Sequence, residues 1–266
     1  MQKKTAIFLN TCDKNQDVCE YFLTAFDRYW KDNQLIKIAG TNKLDINLKK
    51  HGFYIVSSKP TNWKQETISQ LKEVKCKFPD ISYVLLFLDD FILNKKVDNE
   101  RILEILNNLN NEKYIRLKVV EEGLFMKINN FFSKRKLWRN SKGIEIRDSH
   151  PYYSSLQVAI WDIDYLIFCV ENSMSIWDFE TPKPYHSKHY AVTKNYFSYR
   201  HIVEKGEWDV GVENYCKKYV DFFNRGNRPQ KKRKLIDSII LSIKNILFKL
   251  FGYMFMKIRK RINLRA

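Results

Sequence analysis

Residues 83–91 of this 266-residue chain read Tyr83-Val84-Leu85-Leu86-Phe87-Leu88-Asp89-Asp90-Phe91. Six consecutive apolar residues are typical of a β-strand that is buried on both faces, as in a parallel sheet. Two carboxylates then end the strand abruptly. Burying them costs free energy unless a cation or hydrogen-bond donors compensate their charge. The acidic doublet therefore indicates either a divalent-cation site or caps for the next helix or turn.

Strand and helix patterns alternate on both sides of this segment. Short apolar runs predict further strands at 5–11, 35–39 and 53–56. Apolar residues three or four apart predict helices at 18–30, 63–78, 102–109 and 155–170. This alternation predicts an α/β domain built on a central, mainly parallel sheet.

Polar residues follow two of the predicted strands. Thr11 and Asp13 come after the first strand, and Asp89 and Asp90 come after the longest apolar run. Ligands of such sheets bind beyond the carboxyl ends of the strands. Mg²⁺ and Mn²⁺ take oxygen ligands and are usually shared with substrate phosphates. A cation here suits the activation of a nucleotide-sugar leaving group.

Several enzyme signatures are absent from the sequence. It contains only eight glycines, and no GxGxxG, HExxH or GxSxG pattern. The glycines at 206 and 211 have the spacing of a P-loop, but Val212 and Glu213 stand where Lys and Ser or Thr are required. The five cysteines form no CxxC pair, which predicts a reducing, cytoplasmic environment. Dinucleotide-binding, P-loop, zincin and serine-hydrolase functions all lose support.

The positive charge is concentrated at the C-terminus. Of the formal net charge of +17, residues 226–266 carry +11, because 12 basic residues there face the single acid Asp237. Nucleic-acid enzymes usually carry a basic surface on the folded body, so we predict no nucleic-acid partner. We predict a domain over 1–225 and a tail over 226–266.

The tail combines helical periodicity with basic flanks. Apolar residues recur at helical spacing over 236–258, between basic clusters. Such a helix suits the anionic inner face of the cell membrane, lying in the interface rather than spanning it. The alternative is a helix that packs on the protein's own core or on a partner subunit.

Segment 175–180 holds two carboxylates, Asp178 and Glu180, among aromatic residues. Desolvation by such neighbours raises the pKa of a carboxyl group, which suits a base for an acceptor hydroxyl. Trp177 suits stacking on the apolar face of a sugar. The alternative is a partly buried turn whose tryptophan belongs to the core.

Segment 185–190 contains His186, Lys188 and His189. One histidine suits a metal ion, and the lysine suits a phosphate. The alternative is that the histidines are structural and the lysine is merely solvated.

Seven segments resemble, in this order, a family of bacterial GT-A-fold glycosyltransferases of capsular polysaccharide and lipopolysaccharide biosynthesis. The resemblance extends over most of residues 5–210. Its segments are Asn10-Thr11-Cys12-Asp13-Lys14, the helix ending in Tyr29-Trp30-Lys31-Asp32, Trp63 at a helix start, 83–91 with Val97-Asp98, 153–161, Ser175-Ile176-Trp177-Asp178-Phe179-Glu180 and 202–208.

The resemblance implies roles around the donor. Asp90 would bind the metal, Mn²⁺ or Mg²⁺, and Asp89 would contact the ribose or the donor sugar. Thr11 and Asp13 would lie near the base.

It also implies roles around the reacting hydroxyl. Glu180 would act as the base, with Asp178 as the second candidate. Either His186 or His189 would complete the metal site. Gln157 and Trp161 would line the acceptor or donor pocket.

The function implied is a metal-dependent, inverting glycosyltransferase. It would transfer a sugar from a nucleotide-diphosphate donor, such as a UDP-sugar, to a lipid-linked glycan at the inner face of the membrane. The alternatives are a nucleotidyltransferase acting on sugar phosphates and a non-catalytic scaffold that binds membrane or nucleic acid.

Overall fold

The structure is a computed structural model. It describes residues 4–42, 46–59, 61–119, 137–138, 143–146, 150, 152–180, 187–231, 243 and 246–247. Its strands are β1 Lys4–Asn10, β2 Ile36–Thr41, β3 Tyr54–Ser57, β4 Ile81–Leu88, β5 Phe91–Leu93, β6 Tyr114–Arg116, β7 Leu137–Trp138, β8 Gly143–Glu145, β9 Ala159–Asp162, β10 His189–Val192, β11 Tyr199–His201, β12 Val203–Glu204 and β13 Glu207–Trp208. Its helices are α1 Gln16–Tyr29, α2 Ile46–Lys50, α3 Trp63–Lys77, α4 Asn99–Asn107, α5 Ile163–Glu171, α6 Ile176–Phe179 and α7 Val212–Tyr219.

One nine-stranded sheet organises the domain, in the order β3-β2-β1-β4-β9-β6-β10-β8-β7. Among these strands only β8 and β9 run against the others. The predicted α/β fold with a mainly parallel central sheet is therefore confirmed. The parallel register of β1 and β4 sets Asn10 opposite Leu88. The turns that follow these two strands consequently emerge side by side at one edge of the sheet.

Both faces of the sheet are covered by apolar side chains. Along β4, Tyr83, Leu85 and Phe87 join the core that contains α1, whereas Val84 and Leu86 join the core that contains α3 and α5. This alternation explains why the segment is continuously apolar, since each face of a strand receives every second side chain. The predicted burial of β4 on both faces is confirmed.

Four of the helices begin at side-chain caps. Asn62, Asp98, Asp162 and Ser175 accept hydrogen bonds from backbone N–H groups in the first turns of α3, α4, α5 and α6. The helix that follows the acidic doublet is thus capped by Asp98, which leaves Asp89 and Asp90 for other contacts.

The helix predicted over 155–170 is wrong in its first half. Residues 159–162 form β9, inserted between β4 and β6, and α5 begins only at Ile163. The helical spacing was misleading because Ile160 and Trp161 are both buried, on opposite faces of the sheet.

The domain extends beyond residue 225. The Trp208 N–H donates to the Pro229 carbonyl at 2.8 Å, and the Lys231 N–H donates to the Trp208 carbonyl at 2.9 Å. Residues 226–231, which the charge distribution assigned to the tail, are therefore attached to the domain.

The helix predicted over 236–258 lies outside the described residues, except for three helical positions at 243, 246 and 247. No helix within the described part of the chain is both long enough and apolar enough to cross a bilayer.

Candidate functional site

Two adjoining cavities lie beyond the carboxyl end of β4. The larger, of about 560 Å³, is lined by Glu180, Gln157, Trp177 and His201, and we call it the Glu180 cavity. The other, of about 390 Å³, is lined by Thr11, Cys12, Asn15, Trp63, Thr67, Gln70 and Asp89, and we call it the Thr11 cavity. The two cavities share a wall of five residues, namely Leu88, Asp90, Ile176, Val203 and Lys205.

Asp89 connects the end of β4 to the turn after β1. Its Oδ2 accepts a hydrogen bond of 2.7 Å from the Thr11 hydroxyl, and its Oδ1 accepts one of 3.3 Å from the Asn15 amide. Burial raises the pKa of Asp89 to about 7, although the hydrogen bond from Thr11 opposes this rise. Asp89 lines the Thr11 cavity, and its two carboxylate oxygens attach the end of β4 to the turn after β1.

Asp90 lines both cavities and is held by a relay of side chains. Its Oδ2 accepts a hydrogen bond from His201 Nδ1 at 3.1 Å, and His201 Nε2 lies 3.1 Å from Gln157 Nε2. Gln157 Oε1 accepts hydrogen bonds from Tyr199 and Lys118. Because Gln157 Nε2 can only donate, this arrangement assigns the proton of a neutral His201 to Nδ1.

Glu180 lines the same cavity as Asp90 and is held by the loop before β9. Its Oε1 accepts a hydrogen bond of 2.9 Å from the Leu156 N–H and one of 3.2 Å from the Ser155 hydroxyl. Both donors belong to the loop before β9, so the loop and the short helix α6 together fix the carboxylate.

The two other candidates of segment 175–180 differ in placement. Trp177 lines the Glu180 cavity with 68% of its surface exposed, so it is not a core residue. Asp178 instead accepts a hydrogen bond of 2.9 Å from the Met174 N–H, beside the Ser175 cap of α6. Asp178 therefore stabilises a turn and is not among the residues that line the cavity.

His189 is a core residue, which corrects its assignment as a metal ligand. It is fully buried, and its ring stacks on Tyr153 at 4.0 Å. Its Nε2 lies 2.7 Å from the Tyr165 hydroxyl, and its Nδ1 lies 3.0 Å from the Tyr153 carbonyl. With both ring nitrogens engaged inside the core, His189 does not face either cavity. His186 lies outside the described residues.

Two further predicted residues are also remote from the cavities. Trp161 is fully buried and packs on Tyr114 with ring centroids 4.2 Å apart, and it lines neither of the two cavities. Lys188 precedes β10, which runs in the direction of β4, and it pairs with Glu145 at 3.6 Å. Lys188 therefore lies toward the amino-terminal edge of the sheet, away from a phosphate bound beyond β4.

Asp13 lies near the Thr11 cavity but lines a separate one. It borders a cavity of about 500 Å³ with Lys14, Asp17, Gly206 and Arg228. Thr11 is thus the member of this predicted pair that faces the cavity next to the acidic doublet.

Sequence reasoning missed three basic residues of the site, which are His201, Lys205 and Arg228. The antiparallel pairing of β11 with β5 sets His201 opposite Phe91 and so beside Asp90. The segment 202–208 of the family resemblance indicates two of them, because His201 precedes it and Lys205 lies within it, whereas Arg228 lies 20 positions beyond its end.

No family model matches the sequence, and no curated protein matches it significantly. Solved structures match it at low identity. TarS from S. aureus aligns with a TM-score of 0.46 and 11% identity over 94% of this chain, which spans 44% of the TarS chain. The galactosyltransferase LgtC, in complex with donor and acceptor sugar analogs, aligns with a TM-score of 0.34 and 12% identity over 61% of this chain and 59% of its own.

A 4-diphosphocytidyl-2C-methyl-D-erythritol synthase aligns with a TM-score of 0.36 and 10% identity over 68% of this chain and 84% of its own. Similarity at this level leaves the question of function to the residues of the site.

Proposed function

We propose that this chain is a glycosyltransferase that moves a sugar from a nucleotide-diphosphate donor, such as a UDP-sugar, to an acceptor hydroxyl. The supporting observation is that Asp90 and Glu180 line one cavity while Asp90 also borders a second. A nucleotide sugar has a nucleoside at one end, a sugar at the other and a diphosphate between them. Two cavities that meet at Asp90 match this division.

In the proposed reaction Glu180 is the base. The acceptor oxygen attacks the anomeric carbon, the bond from that carbon to the diphosphate oxygen breaks, and its electron pair leaves with the nucleoside diphosphate. The proton of the acceptor hydroxyl passes to the Glu180 carboxylate. A single displacement of this kind inverts the anomeric configuration. Ser155 and Leu156 hold the carboxylate in place, which is the preorganisation that such a transfer requires.

The donor atoms around Asp90 fit a divalent cation that takes most of its ligands from phosphate and water. No group of three or more His, Cys, Asp or Glu side chains suited to a metal occurs among the described residues. Mg²⁺ is commonly bound through only one or two carboxylates together with substrate phosphates. Asp90 would hold such an ion, with His201 as the adjacent imidazole. The ion would supply charge neutralisation on the departing diphosphate.

The Thr11 cavity suits the polar groups of a nucleoside. The Thr67 hydroxyl oxygen is buried there and has no hydrogen-bond partner among the described residues. Leaving a buried hydroxyl unpaired costs about 1–3 kcal/mol, which a ligand's polar atom would recover. Trp63, one turn before Thr67 in the same helix α3, also lines this cavity and offers an aromatic contact.

The acceptor we propose is a lipid-linked glycan of a bacterial surface polysaccharide, used at the inner face of the membrane. The support for this acceptor is the basic, periodically apolar sequence of the tail. Trp177, exposed at the Glu180 cavity, supports a sugar acceptor because an indole face packs well on the apolar face of a sugar ring.

A panel of UDP-, GDP-, dTDP- and CMP-sugars, each with and without Mn²⁺ or Mg²⁺, tests the proposal. We expect at least one donor to raise the melting temperature and to release its nucleoside diphosphate, or CMP from the CMP-sugars. Release of pyrophosphate from a nucleoside triphosphate and a sugar phosphate would instead identify a nucleotidyltransferase. Indifference to every nucleotide would exclude both enzymes and favour the scaffold.

A further inference from the structure

We propose that Lys205, at the tip of the β12–β13 hairpin, binds the diphosphate of the donor. This inference rests on the proposed function and adds to it the residue that meets the leaving group. Lys205 belongs to the segment 202–208 of the family resemblance.

The position of Lys205 follows from the two cavities. It is one of the five residues in their shared wall, and only Asp90 and Lys205 in that wall are charged. A diphosphate that joins a nucleoside in the Thr11 cavity to a sugar in the Glu180 cavity has to pass along this wall. The Asp90 carboxylate repels phosphate unless a cation neutralises it, so the positive charge of Lys205 in the same wall would attract the diphosphate with or without a bound ion.

Lys205 is available for a ligand. Among the residues that the structure describes, it forms no hydrogen bond or ion pair. Other basic residues of this region are engaged, since Lys231 pairs with Glu204 and Arg200 pairs with Asp209 at 2.9 Å. An exposed ammonium group with three donors is well suited to phosphate oxygens.

The backbone of the hairpin holds Lys205 in an unusual conformation. Its φ is +53°, and that of Gly206 is +81°. Positive φ at both central residues is the requirement of a two-residue type I′ hairpin turn, in which glycine or asparagine is favoured at such positions. A lysine in this conformation carries a small backbone cost, which a function of its side chain would justify.

Arg228 fastens the hairpin to the turn after β1. Its guanidinium donates to the Gly206 carbonyl at 3.2 Å, to both Asp17 oxygens at 2.8 Å, and to Asn15 Oδ1 at 3.1 Å. It also lies over the ring of Trp208, 5.4 Å from the ring centroid. Asn15 in turn donates a hydrogen bond to Asp89. Arg228 therefore connects the tip of the hairpin, through Asn15, to the acidic doublet.

The test separates binding of the phosphates from binding of the nucleoside. Dissociation constants are measured by calorimetry for uridine, cytidine, guanosine and thymidine and for their 5′-diphosphates, in the presence of Mn²⁺. The tightest pair then serves as the probe for variants. We expect Lys205→Asn to weaken the diphosphate about tenfold and to leave the nucleoside unchanged.

Three control variants, namely Lys205→Gly, Lys205→Arg and Lys188→Gln, keep the test specific. Asparagine and glycine tolerate positive φ better than lysine does, so Lys205→Asn and Lys205→Gly both preserve the turn while removing the charge. Lys205→Arg should recover most of the affinity. Lys188→Gln removes a comparable charge, paired with Glu145 on another part of the surface, and should change nothing.

The outcomes distinguish this inference from the proposed function. If wild-type protein prefers the diphosphate to the nucleoside, and Lys205→Asn keeps that preference within twofold, then Lys205 does not bind the diphosphate and the glycosyltransferase proposal stands. If wild-type protein binds none of the nucleoside diphosphates, the proposed function itself is wrong and this inference falls with it.

Discussion

His201 Nδ1 lies 3.1 Å from Asp90 Oδ2, although 111 positions separate the two residues in the sequence. The contact joins the end of β4 to β11, at the wall between the two cavities. His201 thus orients the Asp90 side chain, which does not cap the helix that follows.

Asp90→Asn keeps the shape of the side chain and removes its charge. If Asp90 holds a divalent cation, transfer should fall at least about 100-fold, because charge on the leaving diphosphate is no longer neutralised. The additional melting-temperature rise that Mn²⁺ gives with a nucleotide sugar should disappear. Asp32→Asn is the matched control, since Asp32 is an exposed partner of Lys96. A Mn²⁺-dependent shift that survives in Asp90→Asn would show that the metal binds elsewhere.

Glu180→Gln can still accept the hydrogen bond from Leu156 but cannot take up a proton. We expect kcat for transfer to fall by about 10²–10⁴, with the dissociation constant for the nucleoside diphosphate unchanged. Steady-state kinetics together with calorimetry would separate these two quantities. Glu171→Gln, at an exposed partner of Lys72, is the control. If the Glu180→Gln variant keeps the kcat of the wild type, another residue acts as the base.

Asp89 should make stability depend on pH. Burial raises its pKa from 3.8 to about 7, so the folded protein binds this proton more tightly than the unfolded chain does. The resulting stabilisation is complete below about pH 4 and is lost as the pH rises through about 7. Asp89→Asn cannot titrate. The free energy of unfolding of Asp89→Asn minus that of the wild type should therefore increase as the pH rises from about 4 to about 7. The increase is at most about 1.4 kcal/mol per unit of pKa shift.

Urea denaturation of both proteins at several pH values between 4 and 8 measures this difference. The absolute effect of the substitution is not needed, because only its change with pH reports on Asp89. A difference that stays constant across this range would mean that Asp89 keeps an ordinary pKa.

Gly40→Ala should destabilise the domain. A Cβ at this position would lie 2.8 Å from the Gln70 side-chain carbon Cδ and 2.8 Å from Phe8 Cζ, closer than side chains pack. We expect a loss of about 1–3 kcal/mol in the free energy of unfolding. Nucleotide affinity should also fall, because Gln70 lines the Thr11 cavity.

A double-mutant cycle checks the cause. In a Gln70→Ala background the new Cβ at position 40 contacts fewer atoms. Gly40→Ala should therefore lower the free energy of unfolding less in that background than in the wild type. Equal costs in both backgrounds would exclude a clash with Gln70.

The elements around β1 and β4 could be predicted because each has one clear periodicity. The apolar spacing of α1, α3 and α4 is helical, and the run that forms β4 is continuous. Parallel pairing then forces Thr11 and Asp89 to the same edge of the sheet. That part of the site follows from topology alone.

The remainder of the site depends on contacts that local sequence does not encode. His201 reaches Asp90 only through the register of β11 against β5, and nothing near residue 201 specifies that pairing. His189 had the same residue type and a more suggestive neighbourhood, yet its strand lies inside the sheet and its ring is enclosed by aromatic side chains. What separates these two histidines is not residue type: His201 lies at the carboxyl end of β4, where the cavities are, whereas His189 begins β10 at the opposite end of the parallel strands.

The contacts of Arg228 limit where this protein can be shortened. A truncation designed from charge alone would stop at residue 225. It would remove the Arg228 guanidinium, which donates hydrogen bonds to Gly206 and Asp17. It would also remove the Pro229 carbonyl, which accepts a hydrogen bond from the Trp208 N–H. Inactivity of such a fragment would be misattributed to loss of membrane attachment. A cut after Lys231 spares these bonds, and it alone would measure what the final stretch contributes.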